Sequence, residues 1–319
     1  MRKTMAKQGY AGRRKLRYLL LGAFILSGIS GCVYEHTDDC PQGIDVRLYS
    51  KTPCHTDTVY PHLSGLKLCI FDRNDKLVLY QAAGDAGLAE HFRKRLEVEN
   101  GLYSVVAWSG LDTQAFDLSF LKEKITVKND LLFHIQRVAG QAASIDGRSV
   151  YYGESPVVFL PDPAEYGSVF ESVAVNMQEI TNRMAISIEG LPQADDYEVF
   201  IESANGSMRI DGSIAPDEII RYGSAPVFSG GILEAEFTIL KLATGYNNTL
   251  VVRDKRLDRD LYRGDLLGTL LLKNPEVNLA CDHDFTIRFT AKDQCQCGTF
   301  MIMEIWVNNW LVHSYTTDL

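Results

Sequence analysis

The chain has 319 residues, of which 46% are hydrophobic, 10% aromatic and 23% charged. This composition is typical of a globular protein and excludes a disordered, collagen-like or coiled-coil chain. No internal segment reaches the roughly 18 consecutive apolar residues of a membrane helix, which excludes a polytopic membrane protein. The length predicts two compact domains of roughly 100 to 200 residues each.

The charge is distributed unevenly along the chain. Residues 1–31 contain seven Lys and Arg residues and no acidic residue. The remainder therefore has 25 basic and 41 acidic residues, a formal charge of −16. A chain with this much negative charge repels the phosphate backbone of nucleic acids, and we expect no nucleic-acid partner.

The N-terminal segment has the features of an export signal. After the basic residues comes a short apolar run, Tyr18–Ile29, which is too short to span a bilayer but suits a secretory signal peptide. The sequence Ile29-Ser30-Gly31-Cys32 resembles a lipobox, the pattern that lipoprotein signal peptidase cuts in front of a lipidated cysteine. We therefore predict a signal peptide over 1–31 and lipidation of Cys32. An ordinary signal peptide or a signal anchor with a chance cysteine is the alternative.

The residues after Cys32 predict where such a lipoprotein goes. Several acyl chains on one cysteine, at about 0.8 kcal/mol per buried CH₂, give nearly permanent membrane attachment. The acidic leader that follows resembles the signal that exports some Gram-negative lipoproteins to the outer face of the outer membrane. We predict a lipidated tether over 32–44 and a surface-exposed, outer-membrane location. The alternative is that the leader is only a solvated linker.

The body is predicted to be all-β. Short alternating segments recur every ten to fifteen residues with turn residues between them, which is typical of β-sandwiches. A polar turn at 73–76 joins two of these segments in a predicted hairpin. Residues 112–139 could hold strands or a short helix. The predicted strands of the first half are Asp45–Tyr49, Leu66–Asp72, Leu77–Gln81 and Gly101–Trp108.

A break at Pro161–Pro163 and Gly167 predicts a domain boundary, with one domain over 45–164 and the other over 165–319. Asn308 and Asn309 tolerate positive φ and predict a two-residue type I′ turn in a closing hairpin. Few segments have a period of 3.6 residues, so helices should be short and peripheral. The predicted strands of this half are Ser172–Met177, Arg183–Glu189, Tyr197–Glu202, Leu233–Leu242, Thr249–Arg253, Leu266–Leu272, Phe285–Thr290, Phe300–Val307 and Trp310–Tyr315.

Motifs for catalysis or nucleotide binding are absent from the sequence, so we assign no catalytic residue and expect no cofactor. The densest group of metal-ligand types is Cys281 and His283 with Cys295 and Cys297. Four such ligands could hold zinc. The short Cys-x-Cys spacing and an oxidising envelope favour disulfides or plain packing, with no metal, and we pair Cys281 with either Cys295 or Cys297.

The other cysteines give one further predicted pair. Removing the lipidated Cys32 from the seven cysteines leaves six, which allow fifteen pairings. Cys40 and Cys54 lie on either side of the first strand and are plausible partners. Cys69 lies within a strand and is better explained as a small buried apolar residue.

Six fragments, in order and spacing, resemble the fimbrillin-A-associated anchor protein family, the outer-membrane anchor subunits of type V fimbriae. The family often has Gly where Asn309 stands here. The resemblance implies two tandem transthyretin-like β-sandwich domains after a lipoprotein signal peptide, no enzymatic activity, and a fimbrial stalk subunit as partner. The fragments are Asp39–Gly43, Val46–Tyr49, Leu66–Asp72, Asn100–Gly110, Thr181–Gly190 and Ile305–His313.

The resemblance also implies how subunits join. Stalk and tip subunits of these fimbriae are cut by an arginine-specific protease, which removes an N-terminal strand and opens a groove for a neighbour's donor strand. An anchor must avoid that cut, so we expect Arg47 to lie inside a paired strand. Our candidate for the edge that pairs with the stalk subunit is the hairpin Phe300–Tyr315. The alternative is that this hairpin only closes its own domain.

The function favoured by the sequence is a lipid-tethered anchor that holds a fimbrium at the outer membrane and limits its length. A tip or stalk subunit of the same system would share the fold. A surface ligand-binding lipoprotein, or adhesin, would use exposed aromatic residues such as Tyr151, Tyr152, Trp306 or Trp310. An envelope hydrolase has no motif in its support.

Overall fold

The computed structural model describes residues 41–87, 89–117, 121–193, 195–293, 296 and 298–315, and this part of the chain is nearly all β. The first strands are β1 (Gly43–Tyr49), β2 (His62–Asp72), β3 (Leu77–Gly87), β4 (Lys94–Glu97), β5 (Gly101–Ser109), β6 (Phe116–Asp117), β7 (Leu132–Ile135), β8 (Arg137–Val138), β9 (Gln141–Ala142), β10 (Tyr151–Glu154), β11 (Val158–Leu160) and β12 (Phe170–Asn176). The later strands are β13 (Gln178–Glu179), β14 (Thr181–Glu189), β15 (Tyr197–Ser203), β16 (Ser207–Arg209), β17 (Ile214–Ala215), β18 (Ile220–Ser224), β19 (Val227–Ser229), β20 (Ile232–Leu240), β21 (Thr249–Asp254), β22 (Arg259–Asp265), β23 (Asp284–Asp293), β24 (Phe300–Val307) and β25 (Trp310–Ser314).

Helices are short and peripheral in the described residues, as predicted. One α-helix, α1 (Pro163–Tyr166), begins after Asp162, whose carboxylate accepts a hydrogen bond from the backbone N–H of Ala164. The 3-10 turns Lys128–Asp130 and Leu271–Lys273 complete the set. Within the same residues, no helix is both long and apolar enough to cross a membrane.

Two sheets build the N-terminal half. The smaller has the order β12-β1-β4, and the larger has the order β13-β10-β5-β2-β3 with β11 also paired to β5. In the small sheet β1 runs parallel to β12 and antiparallel to β4. Alternate residues of β1, including Ile44 and Val46, pack with Leu68, Ile70 and Val105 of the larger sheet in one buried core.

The central strands of the larger sheet are buried on both faces. In β2 the four consecutive residues Leu68, Cys69, Ile70 and Phe71 are each at most 2% exposed. Leu68 and Ile70 belong to the N-terminal core, whereas Cys69 and Phe71 belong to the core of the C-terminal half. The uninterrupted apolar run therefore fits a strand that is sealed on both sides. One sheet contributes to two cores.

The C-terminal half is a sandwich of two six-stranded sheets. Their orders are β19-β20-β14-β23-β24-β25 and β22-β21-β15-β18-β9-β8, and β14 runs parallel to β23. Inward residues such as Ile186, Phe237, Val199, Leu250 and Phe289 are all below 5% exposed and share one core. Nine-residue β14 and β20 pair in full, which sets the register of the first sheet.

The segment that the sequence left open, 112–139, connects the two halves. Its short strands β6 and β7 form a four-stranded sheet, β17-β16-β7-β6, with strands from the C-terminal half. Its last strand, β8, pairs with β9, which follows the segment and adds to the C-terminal sandwich beside β18. Strands of two to four residues carry too little alternation to be recognised in a sequence, which is why this segment stayed undecided.

Strand β12 bears on the predicted domain boundary. The sequence placed residues 165–177 with the second domain, whereas β12 pairs with β1 along its whole length. Val173, Val175 and Met177 lie in the N-terminal core. We therefore propose to draw the boundary after Met177.

Two local turn predictions are confirmed, and one strand prediction is wrong. Asn308 and Asn309 both have positive φ, 46° and 66°, and join β24 to β25. Residues 73–76 turn between β2 and β3 as predicted.

The predicted strand Leu266–Leu272 is instead a series of turns ending in a 3-10 turn. The Asp265 carboxylate accepts from the N–H of Gly268, which bends the chain so that four leucines are buried on the same core.

Candidate functional site

A disulfide joins the two halves of the molecule. Cys54, in the loop after β1, is bonded to Cys281, just before β23, with a Cα–Cα distance of 6.1 Å. The predicted pairing of Cys54 with Cys40, and of Cys281 with a C-terminal cysteine, is therefore wrong. Both guesses assumed partners close in sequence, whereas this bond spans 227 residues and depends on how the halves pack.

The alternative of a zinc site is weakened, because zinc binds cysteine as a thiolate and the sulfur of Cys281 is in a disulfide. Among the residues that the structure describes, no group of three or more His, Cys, Asp and Glu could hold a metal ion. The remaining predicted site residues lie outside the described residues: Ile29, Ser30, Gly31, Cys32, Cys40, Cys295 and Cys297.

Cys69 is a free thiol buried in the sheet, which confirms its predicted role as a packing residue. Burial raises the pKa of its thiol to about 12, although the charge of nearby Lys67 opposes this effect. The thiolate, the reactive form, is therefore scarce at neutral pH.

A partly buried cluster of Ser207, His134 and Asp217 contains the residue types of a nucleophilic triad in a different arrangement. The Ser207 hydroxyl lies between the other two, 2.7 Å from His134 Nδ1 and hydrogen-bonded to the Asp217 carboxylate. In a triad the imidazole stands between serine and carboxylate. Burial raises the pKa of Asp217, but hydrogen bonds from Arg137 and Ser207 outweigh it and lower the pKa overall. The cluster ties β7 and β8 to the C-terminal half.

The C-terminal hairpin presents an open sheet edge. In the described residues β25 is the last strand of its sheet. Trp310 and Leu311 on this strand are 45% and 42% exposed, and Tyr315 beyond it is 58% exposed. Such an edge offers backbone groups and apolar side chains to another strand.

A groove of about 700 Å³ runs between this hairpin and β22, the edge strand of the facing sheet. Tyr262 and Arg263 line one side, and Phe300, His313 and Tyr315 line the other. Strand β22 was missed because its sequence is mostly charged, which is itself a sign of an edge strand. On this side of the C-terminal sandwich, the edge strands of both sheets, β25 and β22, have no further described strand beside them.

The aromatic residues considered for ligand binding are not gathered in one place. Tyr152 is half-buried, lies 5.3 Å from the Trp108 ring and donates to Glu154. Trp306 is partly buried and donates to Glu304 within its own strand. Of these residues only Trp310 is largely exposed. The arrangement does not form an aromatic binding platform.

The described residues thus define an all-β protein with exposed sheet edges. The sequence profile of the fimbrillin-A associated anchor proteins Mfa1 and Mfa2 matches residues 37–316, so the chain belongs to that family. It is 33% identical over 302 residues to the minor fimbrium anchoring subunit Mfa2 of Porphyromonas gingivalis, covering 92% of this chain and 93% of that protein.

Solved structures agree with this assignment. The structure of the fimbrial anchor protein Mfa2 from Porphyromonas gingivalis superposes with a TM-score of 0.78 at 33% identity, over 86% of this chain and all of that one. A protein from Bacteroides thetaiotaomicron described as a putative polysaccharide binding protein has a TM-score of 0.69 at 16% identity, covering 88% of this chain and 99% of its own. This second likeness shows a shared fold alone.

Arg47 lies in a paired strand, as expected. It is in β1 opposite Ala174 of β12, with its side chain exposed but its backbone in the sheet. Arg73 and Arg93, by contrast, are exposed and lie outside strands. The backbone around Arg47 is thus not free to enter a protease cleft in extended form.

Limited digestion of the folded protein with an arginine-specific protease should therefore cut after exposed arginines outside strands, such as Arg73, Arg93 and Arg256, and leave the bond after Arg47 intact. Mass spectrometry of the first fragments measures this directly. A first cut after Arg47, made while the rest of the chain is still folded, would contradict the protected position of β1.

Proposed function

We propose that this protein is a lipid-anchored subunit that holds a fimbrium at the surface of the outer membrane. The observation that carries the proposal is the 33% identity to a minor fimbrium anchoring subunit across nearly the full length of both chains. The lipobox at Cys32 supplies the membrane attachment. Membership of the anchor family favours a structural role over catalysis.

Attachment to the stalk subunit occurs by strand pairing at the C-terminal hairpin. Strand β1 stays in place between β12 and β4, so the groove that proteolysis would open is filled by the protein's own strand. A neighbour's donor strand cannot enter there, and growth of the filament stops at this subunit. The exposed edge of β25 and the groove beside β22 remain available for pairing.

The proposal is tested by replacing the lipidated cysteine in the producing cell. In the Cys32→Ala variant, filaments should be shed into the medium because the body loses its acyl chains. Electron microscopy and immunoblotting of cells and medium measure the distribution. Cys69→Ala is the matched control, since it removes a buried thiol and leaves the lipid in place. Filaments of normal length that stay on Cys32→Ala cells would overturn the anchoring role.

A further inference from the structure

The parallel pair of β1 and β12 has the geometry of a mechanical clamp. The two strands match over all seven residues, from Gly43 opposite Phe170 to Tyr49 opposite Asn176. Further backbone hydrogen bonds close both ends: the N–H of Gly43 donates to Val169, and the N–H of Met177 donates to Tyr49. β1 is the strand nearest the predicted tether, and β12 leads into the C-terminal half.

The direction of a pull decides how these hydrogen bonds are loaded. A membrane tether pulls β1 from its Gly43 end, whereas a load on the C-terminal half pulls β12 from its Asn176 end. Because the strands are parallel, these forces act in opposite directions along the strand axes. The backbone hydrogen bonds between β1 and β12 lie across the direction of the force. They are therefore loaded together and do not break one after another.

Side-chain contacts also hold β1 in place beside β12. The side chains of Ile44, Val46 and Leu48 on β1 are at most 2% exposed, so sliding the strand would pull them out of the core. At the far end, the Asn176 side chain both accepts from the N–H of Lys51, at 2.8 Å, and donates to its carbonyl, at 2.9 Å.

The disulfide lies shortly after β1 along the chain, since Cys54 is in the loop that follows this strand. If β1 were drawn out, the chain would tighten only as far as Cys54, and the force would then pass through sulfur to Cys281. The stretch between the two cysteines, whose sequence separation is 227, is thereby removed from the path of the load. It contains β2 to β22, which include the whole larger N-terminal sheet.

We propose that the β1–β12 pair and the Cys54–Cys281 bond together form a load-bearing clamp, in which the strands resist a pull between tether and C-terminal half and the disulfide stops unravelling when they yield. The origin of the load in the cell rests on the proposed anchoring function. The clamp itself is a property of the isolated chain and can be tested without a fimbrium.

Single-molecule stretching of the mature chain tests the first part. One handle is placed at the N-terminus and the other either at the C-terminus or in the exposed loop at Gly167, before β12. The first arrangement slides β1 along β12, and the second opens the same pair from its Gly43 end. Release of β1 should need a several-fold higher force in the first arrangement. Equal forces in both would overturn the shear geometry.

The second part is tested with the double variant Cys54→Ser, Cys281→Ser, stretched between its termini. The variant should release an additional length of roughly 800 Å compared with the parent, since each extended residue spans ~3.5 Å. The force that releases β1 should be unchanged, because the bond lies behind the strand. An identical total length in parent and variant would overturn the role of the disulfide.

Discussion

Replacing Trp108 with alanine is expected to lower the free energy of unfolding by about 3–5 kcal/mol, the usual range for deleting a buried aromatic side chain. Trp108 is 1% exposed and lies on the face of β5 that meets the C-terminal half. Its ring packs on Phe133 at 4.7 Å, and its indole N–H donates to the carbonyl of Ile210 at 3.1 Å. The variant leaves a cavity and an unpaired carbonyl between the halves.

The chain offers a matched control for this substitution. Trp310 is 45% exposed on the edge strand β25, and Trp310→Ala should change the free energy of unfolding by no more than ~0.5 kcal/mol. Urea denaturation followed by circular dichroism measures both variants under the same conditions. Similar losses for the two tryptophans would show that Trp108 does not carry the contact between the halves.

Removing the disulfide should have the second large effect. In the chain-entropy description, a bond that closes a loop of 227 residues stabilises the folded state by about 5 kcal/mol, and measured losses are about 2–5 kcal/mol. We expect the variant Cys54→Ser, Cys281→Ser to lose a free energy of unfolding in this range. Its urea midpoint, compared with that of the parent, is the measurement.

Reduction of the parent provides the control for the serine substitutions. Dithiothreitol should lower the midpoint of the parent to that of the double variant and leave the variant itself unchanged. If the parent and the variant unfolded at the same urea concentration without reductant, the bond would contribute nothing to stability. The buried thiol of Cys69 should not react in either protein until it unfolds.

Local chemistry was enough to predict some elements. The hairpin of β24 and β25 follows from two asparagines that accept positive φ between alternating apolar segments. The strand of Leu66–Asp72 and its hairpin partner follow from alternation and a polar turn. In the candidate site, the hairpin Phe300–Tyr315 was selected as an edge because of the resemblance to the anchor family, and its residues Trp310 and Leu311 are exposed.

Features that depend on distant contacts were not predictable. The sequence of β12 does not say that its neighbour is β1, more than a hundred residues earlier. The partner of Cys54 depends on how two halves of the molecule meet. The strand Gly101–Trp108 was predicted, but its sequence does not identify what covers each face of Val105–Trp108, which are buried on both.

The strand pair at the centre of the larger N-terminal sheet also limits how such proteins can diverge or be recombined. Cys69, Phe71, Val106 and Trp108 fill the same interior as the C-terminal strands. A chimera that takes one half from this protein and the other from a relative would join surfaces that were never fitted to each other. We expect such hybrids to fold only when the residues on both sides of this contact between the halves are exchanged as a set.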